Sequence, residues 1–397
     1  SHKAGDFMRY VLGADVGTTR LKCLLFDESG RLAASATRDY RPIPAPPGRS
    51  EQDAREWPRA FGEAAREAIA AAGAEKAVRA ICLATQGGTL VPVDAAGRPL
   101  HNAIVWNDGR CAKERALLEE SVAAESVWQK TGWRLSSGLN ALQILWLREN
   151  EPDIFRAAWK FLSVPDYMSL YLTGLCAIDL SNAGINQLAD IGKGAWDGDI
   201  LRALGIGEER LAQIVPSGRV IGPLTASAAA ELGLSGDVVL VAGGHDQYMS
   251  ALGAGALQAG DAMLATGTCW VAAQISAQRP DRHSVSRHVV DGLWGELQSH
   301  ESGGGALEWF RAQLGPGEGL TYRQIDERAA QSPPGAGGVR FFPFLTGGGE
   351  MRGAFTGLTA GNTRWDLARA VLEGVCFQAA WMLEDFGPAP DGRLTMT

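Results

Sequence analysis

The chain has 397 residues, 46% hydrophobic and 21% charged, which is too long for one ordinary core and suits two globular lobes rather than a disordered or fibrous protein. Thirty-seven basic against 45 acidic side chains leave a formal charge of −8, which argues against nucleic acid or an anionic membrane as the main partner. Fifty glycines, about twice the usual share, predict many tight turns and close approaches of backbone to ligand.

The opening residues SHKAGDFMRYVLGADVG lack the continuous apolar core of a signal peptide, and no stretch reaches the roughly 18 apolar residues of a membrane helix. Tyr10–Ala14, the turn DVGTTR, Leu21–Phe26, a turn at Asp27–Gly30 and the more polar Arg31–Tyr40 read as a three-stranded meander. Four prolines make 42–48 a loop. Ala54–Ala72 turns helical, with Trp57, Phe61 and Ile69 on one stripe, and Ala80–Ala84 is a buried strand leading to Gln86-Gly87-Gly88. Leu90–Asp94 is expected to pair with Ile104–Trp106 across the Ala95–Gly97 turn. From Ala112 to about Leu234 the pattern is mainly helical, with one helix over Leu139–Asn150 stopped by Pro152.

Val238–Ala242 is an apolar run ending in Gly243-Gly244, the pattern of a central strand that delivers a loop to a site, and HDQYMSALGAGAL opens a helix. The first pattern then returns: Ala262–Ala265, the turn Thr266-Gly267-Thr268, and the strand Cys269–Ile275. GADVGTTRLKCLLF and LATGTCWVAAQIS are both strand, Gly-Thr turn, strand, with their glycines 250 positions apart. This predicts a duplicated βββαβα unit and two similar lobes facing a cleft, 1–244 and 245–397. Six cysteines, at 23, 82, 111, 176, 269 and 376, form no CxxC pair and have no close His partners. Neither a zinc site nor a disulfide framework is expected, and a reducing cytoplasm fits.

A Gly-Thr hairpin can offer backbone N–H groups to an anion with no Cβ between them, while threonine adds a hydroxyl and lysine a charge. Asp15, Gly17, Thr18, Thr19 and Lys22 bring these parts together. Asp15 would repel phosphate and can serve only through a Mg²⁺ that bridges to it; an Asp-initiated surface turn explains the same residues. Asp246 follows a strand and two glycines, where it is either a helix N-cap or a base that takes a proton from a substrate hydroxyl, and the two roles are compatible. His245 reads as its packing or hydrogen-bonding neighbour. Trp106, Asn107, Asp108 and Arg110 offer an aromatic face and forked polar groups of the kind a sugar needs, or else a turn with an exposed ion pair. Gly303-Gly304-Gly305 before ALEWF suits a phosphate at a helix start, or an ordinary loop.

These parts, in this order, resemble the FGGY carbohydrate kinases. The most specific match is GAFTGLTAGNTRWDLARAVLEG: Gly353, Phe355, Gly357-Leu358, seven residues, Asp366-Leu367, two residues, Ala370-Val371-Leu372-Glu373. DVGTTRLK resembles the first phosphate motif of the family, IVWNDGR its sugar-side motif, GGHDQ its catalytic loop and ATGT its second phosphate motif. The resemblance implies an α/β fold of two actin-like (ribonuclease-H-like) ATPase lobes with an interdomain cleft, and ATP-dependent phosphorylation of a small sugar or polyol, a ketose such as a pentulose foremost. It makes Asp246 the catalytic base and Gln86, Trp106, Asn107, Asp108, Arg110 and Gln247 substrate contacts. Gly17, Thr18, Thr19, Lys22, Gly267, Thr268 and Gly304 would face ATP, and Asp15 and Asp246 would lie near Mg²⁺. No nucleic acid or membrane partner is implied, and a homodimer is compatible.

The sequence departs from the family at several points. Gln143 stands where a lysine is expected in LQILWLREN. After Gln86, Gly87-Gly88 replaces the Met-His-Gly of xylulokinases and the Arg-Glu of glycerol kinases, which is expected to open the pocket and remove hydroxyl readers. PFLTGGGEMRGAF is shorter and richer in glycine than usual. RLTMT looks like a strand that in the family runs on into an adenine-binding loop, so a second lobe incomplete at its C-terminus, with exposed apolar surface, is expected. An actin-like or chaperone-like ATPase, or a kinase-derived binding protein without catalysis, are the rival readings of the same fold.

Overall fold

The computed structural model describes residues 9–41, 43–300, 302–314, 319–345, 351–387 and 392–397. Residues 1–8 of the opening segment, residue 42 of the proline loop and 346–350 of the glycine-rich stretch lie outside the described residues. The chain divides into two units, Ser1–Met249 with Ser284–Trp294, and Ser250–His283 with Gly295–Thr397.

In the first unit, alternate residues of the strands Tyr10–Val16 and Arg20–Asp27 are apolar, and Leu12, Val16, Leu21, Cys23 and Leu25 are fully buried on one face. The two strands pair antiparallel and Leu32–Asp39 joins them, as the meander predicts. The helix Glu56–Ala72 packs on this sheet. Ala60, Ala64, Ala65 and Ala68 let it approach closely, Trp57, Phe61 and Ile69 fill the remaining space, and all are buried. It stops at Gly73, whose φ of 61° glycine adopts without steric cost.

Val78–Thr85 lies at the centre of the sheet, parallel to Tyr10–Val16 on one side and to Val239–His245 on the other. The register sets Asp15 against Ala84 from one side and Gly244 against Ala84 from the other. Asp15 and the turn after Gly244 therefore share the carboxyl end of three parallel strands, about 10 Å or two strand spacings apart. Open α/β sheets hold ligands at that end. The last strand slips register between Val241 and Gly244, and a Cβ on Gly243 would lie 1.9 Å from the Leu83 carbonyl oxygen, which excludes any side chain there.

One predicted pairing differs. Leu90 and Ile104 meet only as an isolated bridge, whereas Val91–Val93 pairs with Lys160–Leu162 and Ala103–Ile104 with Glu51–Gln52. Val91, Pro92 and Val93 are all buried, so they show no alternation from which a partner could be read. The middle of the chain is helical as expected. Pro152 does more than end Asn140–Asn150, since it opens the next helix, Pro152–Ala157, where its missing N–H costs nothing.

Within the second unit, Trp294–His300, Trp270–Ser276, Ala262–Thr266 and Leu394–Met396 lie side by side in that order. Ala262–Thr266 is antiparallel to Trp270–Ser276 and parallel to Leu394–Met396. The order third, second, first, fourth is also that of Leu32–Asp39, Arg20–Asp27, Tyr10–Val16 and Val78–Thr85 in the first unit. RLTMT thus forms the expected strand, with Leu394 and Met396 exposed, as are Phe377 and Trp381 on the helix Arg364–Asp385. The second signature has structural reasons. Asp366 and Thr363 close a capping box at the start of that helix, and a Cβ on Gly357 would lie 2.2 Å from the Gly338 carbonyl oxygen. Among the described residues no helix is long and apolar enough to cross a membrane.

Candidate active site

Asp15 is the last residue but one of the strand Tyr10–Val16, beside the first Gly-Thr turn. Burial raises its carboxyl above the ordinary value, the charge of Asp246 raises it further, and Lys22, with Nζ 4.0 Å from Asp15 Oδ2, acts the other way. Two carboxylates within electrostatic reach of each other, one partly desolvated, are an arrangement that a cation would relieve. Among the described residues no three His, Cys, Asp or Glu side chains gather as a metal cage. The pair fits Mg²⁺ nonetheless, because that ion keeps most of its waters and binds through one or two carboxylates and substrate phosphates.

The turn is held by Gly17 N–H donating to the Arg20 carbonyl at 3.2 Å. Gly17 does not have positive φ, and neither does Gly267. Left-handed geometry is therefore not what calls for glycine at these two turns; its lack of a side chain leaves the backbone uncovered. Thr18 Oγ1 donates to Gln86 Oε1 at 3.0 Å and accepts from Trp106 Nε1 at 3.0 Å. Gln86 Nε2 in turn donates to Gln52 Oε1 at 2.9 Å, and Gln52 Nε2 donates to the Thr18 carbonyl. Gln86 is 2% exposed with both ends of its amide engaged, so it braces the turn against Trp106. Thr19 and Lys22 remain exposed.

On the sugar-side motif, Trp106 and Asn107 are exposed while Asp108 is buried. Arg110 donates to Asp108 through Nε at 2.9 Å and Nη2 at 2.8 Å, and to Glu51 at 2.6 Å, with its guanidinium 5.0 Å from the centre of the Trp146 ring. Asp108 also accepts the Ser50 N–H at 2.6 Å. Burial pushes the Asp108 carboxyl up, but the hydrogen bonds from Arg110 and Ser50 outweigh it and hold the group below the ordinary carboxylate value. Asp108 and Arg110 thus form the frame on which Trp106 and Asn107 stand. The exposed ion pair considered for this turn is in fact a buried one.

Gly87-Gly88 does not open the pocket. A Cβ on Gly87 would lie 2.7 Å from Ile185 Cγ2 and 2.8 Å from His245 Cδ2, and one on Gly88 would lie 2.4 Å from Leu139 Cδ2. Those side chains fill the space that the two glycines leave. Gln143 is fully buried, and its Nε2 donates to the carbonyls of Gly138 at 2.8 Å, Gly88 at 3.2 Å and Val105 at 3.4 Å. It ties together three loop segments of the wall, a role that its replacement of lysine did not reveal. Gln52 carried no sequence signal at all.

Asp246 is the first residue of the helix Asp246–Gly253, with its side chain 28% exposed and Oδ1 3.3 Å from His245 Nε2. Oε1 of Gln247 is buried and has no hydrogen-bond partner among the described residues. In the second unit, Gly267 and Thr268 are exposed at their turn. Gly304 N–H donates to the Gly267 carbonyl at 3.1 Å and Gly305 N–H to the Thr268 carbonyl at 3.0 Å. The helix start is therefore engaged with the hairpin, and Gly304 serves it as a support. A Cβ there would lie 2.6 Å from the Gly267 oxygen. Gly304→Ala is expected to lower stability by about 1–3 kcal/mol, the range for overpacking, as chemical denaturation would measure.

The model of the FGGY family of carbohydrate kinases, N-terminal domain, matches residues 10–253. A xylulose kinase of Escherichia coli (strain K12) is 33% identical over 386 residues, covering 93% of this chain and 77% of that protein. A glycerol kinase of Polaromonas sp. is 31% identical over 399 residues, covering 95% of this chain and 78% of that one. The crystal structure of xylulose kinase from Rhodospirillum rubrum superposes with a TM-score of 0.90 at 29% identity, covering 97% of this chain and 80% of that chain. With the family model spanning more than half of its length and the sheet order repeated in both units, the chain belongs to the FGGY family of carbohydrate kinases.

Proposed function

We propose that this kinase transfers the γ-phosphoryl group of ATP to a hydroxyl of a small ketose, a pentulose foremost, with Asp246 as general base. The observation that carries the reading is the pairing of Asp246 with Asp15 beside the first Gly-Thr turn, at the carboxyl end of the parallel strands. The xylulose kinases among its relatives support a pentulose.

The sugar stands against Trp106, with Asn107 and Gln247 Oε1 as hydroxyl partners, while Gln86, Asp108 and Arg110 hold that wall in shape. Asp246 accepts the hydroxyl proton as the sugar oxygen bonds to the γ-phosphorus and the bond from that phosphorus to ADP breaks. Gly17, Thr19 and Lys22 offer backbone N–H, hydroxyl and ammonium groups to the phosphates, with Thr18 anchoring their turn, and Gly267 and Thr268 are the matching residues of the second unit's hairpin. Asp15, with Asp246 near it, would hold Mg²⁺, which would supply charge neutralisation for the phosphates. The six free cysteines agree with a cytoplasmic setting.

A coupled ADP-release screen over ketoses, aldoses, polyols and sugar acids tests the reading: sugar-dependent release on a pentulose is expected, and release indifferent to any sugar would overturn it. Asp15→Ala is expected to weaken Mg·ATP by about tenfold or more, the scale of one lost charged contact, with sugar affinity nearly unchanged. Equal loss of both in titration calorimetry would count against Asp15 at the metal.

A further inference from the structure

His245 is used by nothing in the mechanism above, yet the structure builds a socket for it. The ring is 6% exposed and meets Trp133 and Tyr248 edge-on, with centroids 6.1 Å and 5.8 Å away. On another side it shares with Ile185 the space that Gly87 leaves, where a Cβ would come within 2.7 Å of Ile185 Cγ2 and 2.8 Å of His245 Cδ2. The His245 N–H donates to Ser181 Oγ at 2.9 Å, and that hydroxyl is itself bound by the buried carboxylate of Asp179, which also caps the helix Leu180–Ile185. Backbone and ring are thus both located, and the ring nitrogen that points out of this packing, Nε2, lies 3.3 Å from Asp246 Oδ1. Nδ1 is buried and has no hydrogen-bond partner among the described residues.

We propose that His245 is a positioning residue: its Nε2–H holds one oxygen of Asp246, leaving the other to face the sugar hydroxyl, and Gly87 lacks a side chain so that the ring can stand there. The inference rests on the reading of Asp246 as base. An aspartate side chain, with two rotatable bonds, has several orientations, and a donor fixed from behind selects one before substrate arrives. A contact of 3.3 Å is long for such a bond, as catalytic hydrogen bonds often are before the substrate complex forms. It also gives Gly87 and His245 a joint reason, since either residue is awkward without the other.

The experiment compares His245→Leu, His245→Gln, Gly87→Ala and Asp246→Asn with wild type on whichever of D-xylulose, L-xylulose, D-ribulose, L-ribulose and glycerol turns over fastest, with sugar affinity measured separately by calorimetry. H245L removes the donor and is expected to lose about tenfold to a hundredfold in kcat, the rate equivalent of one hydrogen bond to a charged group, with sugar affinity within about threefold of wild type. H245Q carries an amide N–H at the reach of Nε2 and is expected to recover most of that loss. G87A keeps His245 but displaces the ring, so the same selective fall in kcat is expected, and it carries the test if H245L does not fold. Wild-type turnover in a folded H245L or G87A, or H245Q as slow as H245L, would overturn the proposal. An active D246N would instead overturn the assignment of the base, which separates the two failures.

Discussion

Asp246→Asn is expected to lower kcat at least about a hundredfold, the low end for loss of a positioned base, while the sugar still binds. Asparagine keeps the shape of the side chain, and the group is 28% exposed, so folding and melting temperature are expected to stay close to wild type. What the amide cannot do is accept the hydroxyl proton as the new oxygen–phosphorus bond forms. A hundredfold fall is about 2.7 kcal/mol of barrier, and it falls on kcat because it concerns a group that acts only as charge moves. Steady-state kinetics together with calorimetric titration of the sugar checks both halves. Near-normal turnover would remove Asp246 from the reaction.

Arg110→Ala is expected to lower stability by about 3–5 kcal/mol, because it strands buried carboxylates rather than merely removing a surface pair. The Arg110 side chain is 2% exposed, and its partners Asp108 and Glu51 are 0% and 15% exposed. Chemical denaturation measures the loss, and the double variant Asp108→Asn/Arg110→Met is expected to recover much of it by removing the uncompensated charge. Asp108 is held below the usual carboxylate value in the folded protein, so its contribution is present above the unfolded value, about 3.9, and disappears as pH falls through the lower folded value. The gap between wild type and R110A should therefore narrow in acid. A gap that is small at neutral pH, or indifferent to acid, would contradict the role of this pair as a frame.

The meander, the Ala-rich helix and both Gly-Thr hairpins were legible because each has one buried face, and burial writes a period of two or 3.6 into the sequence. Val91–Val93 has no free face, so its true partner, Lys160–Leu162, left no trace in the pattern. Candidate chemistry was legible where a charged residue stands at the end of an apolar strand, as at Asp15 and Asp246. It was harder to read where polar groups satisfy one another. Nothing local says that Arg110 turns inward to Asp108 and Glu51, that Gln86 is bound at both ends of its amide, or that Gln143 reaches three carbonyls. These bonds join residues 34 to 68 positions apart in several cases, and pairwise complementarity at that distance is invisible in a single chain. The same holds for Gly87, whose purpose appears only when the ring of His245 is placed beside it.

Phosphorus NMR of the purified protein with Mg·ATP and its best pentulose follows the transferred group itself. A sugar phosphate monoester growing in step with ADP, with free phosphate at background and both signals suppressed in D246N, is the predicted outcome. Inorganic phosphate appearing in place of the monoester would show that water, not a sugar hydroxyl, receives the phosphoryl group, and the account would not stand.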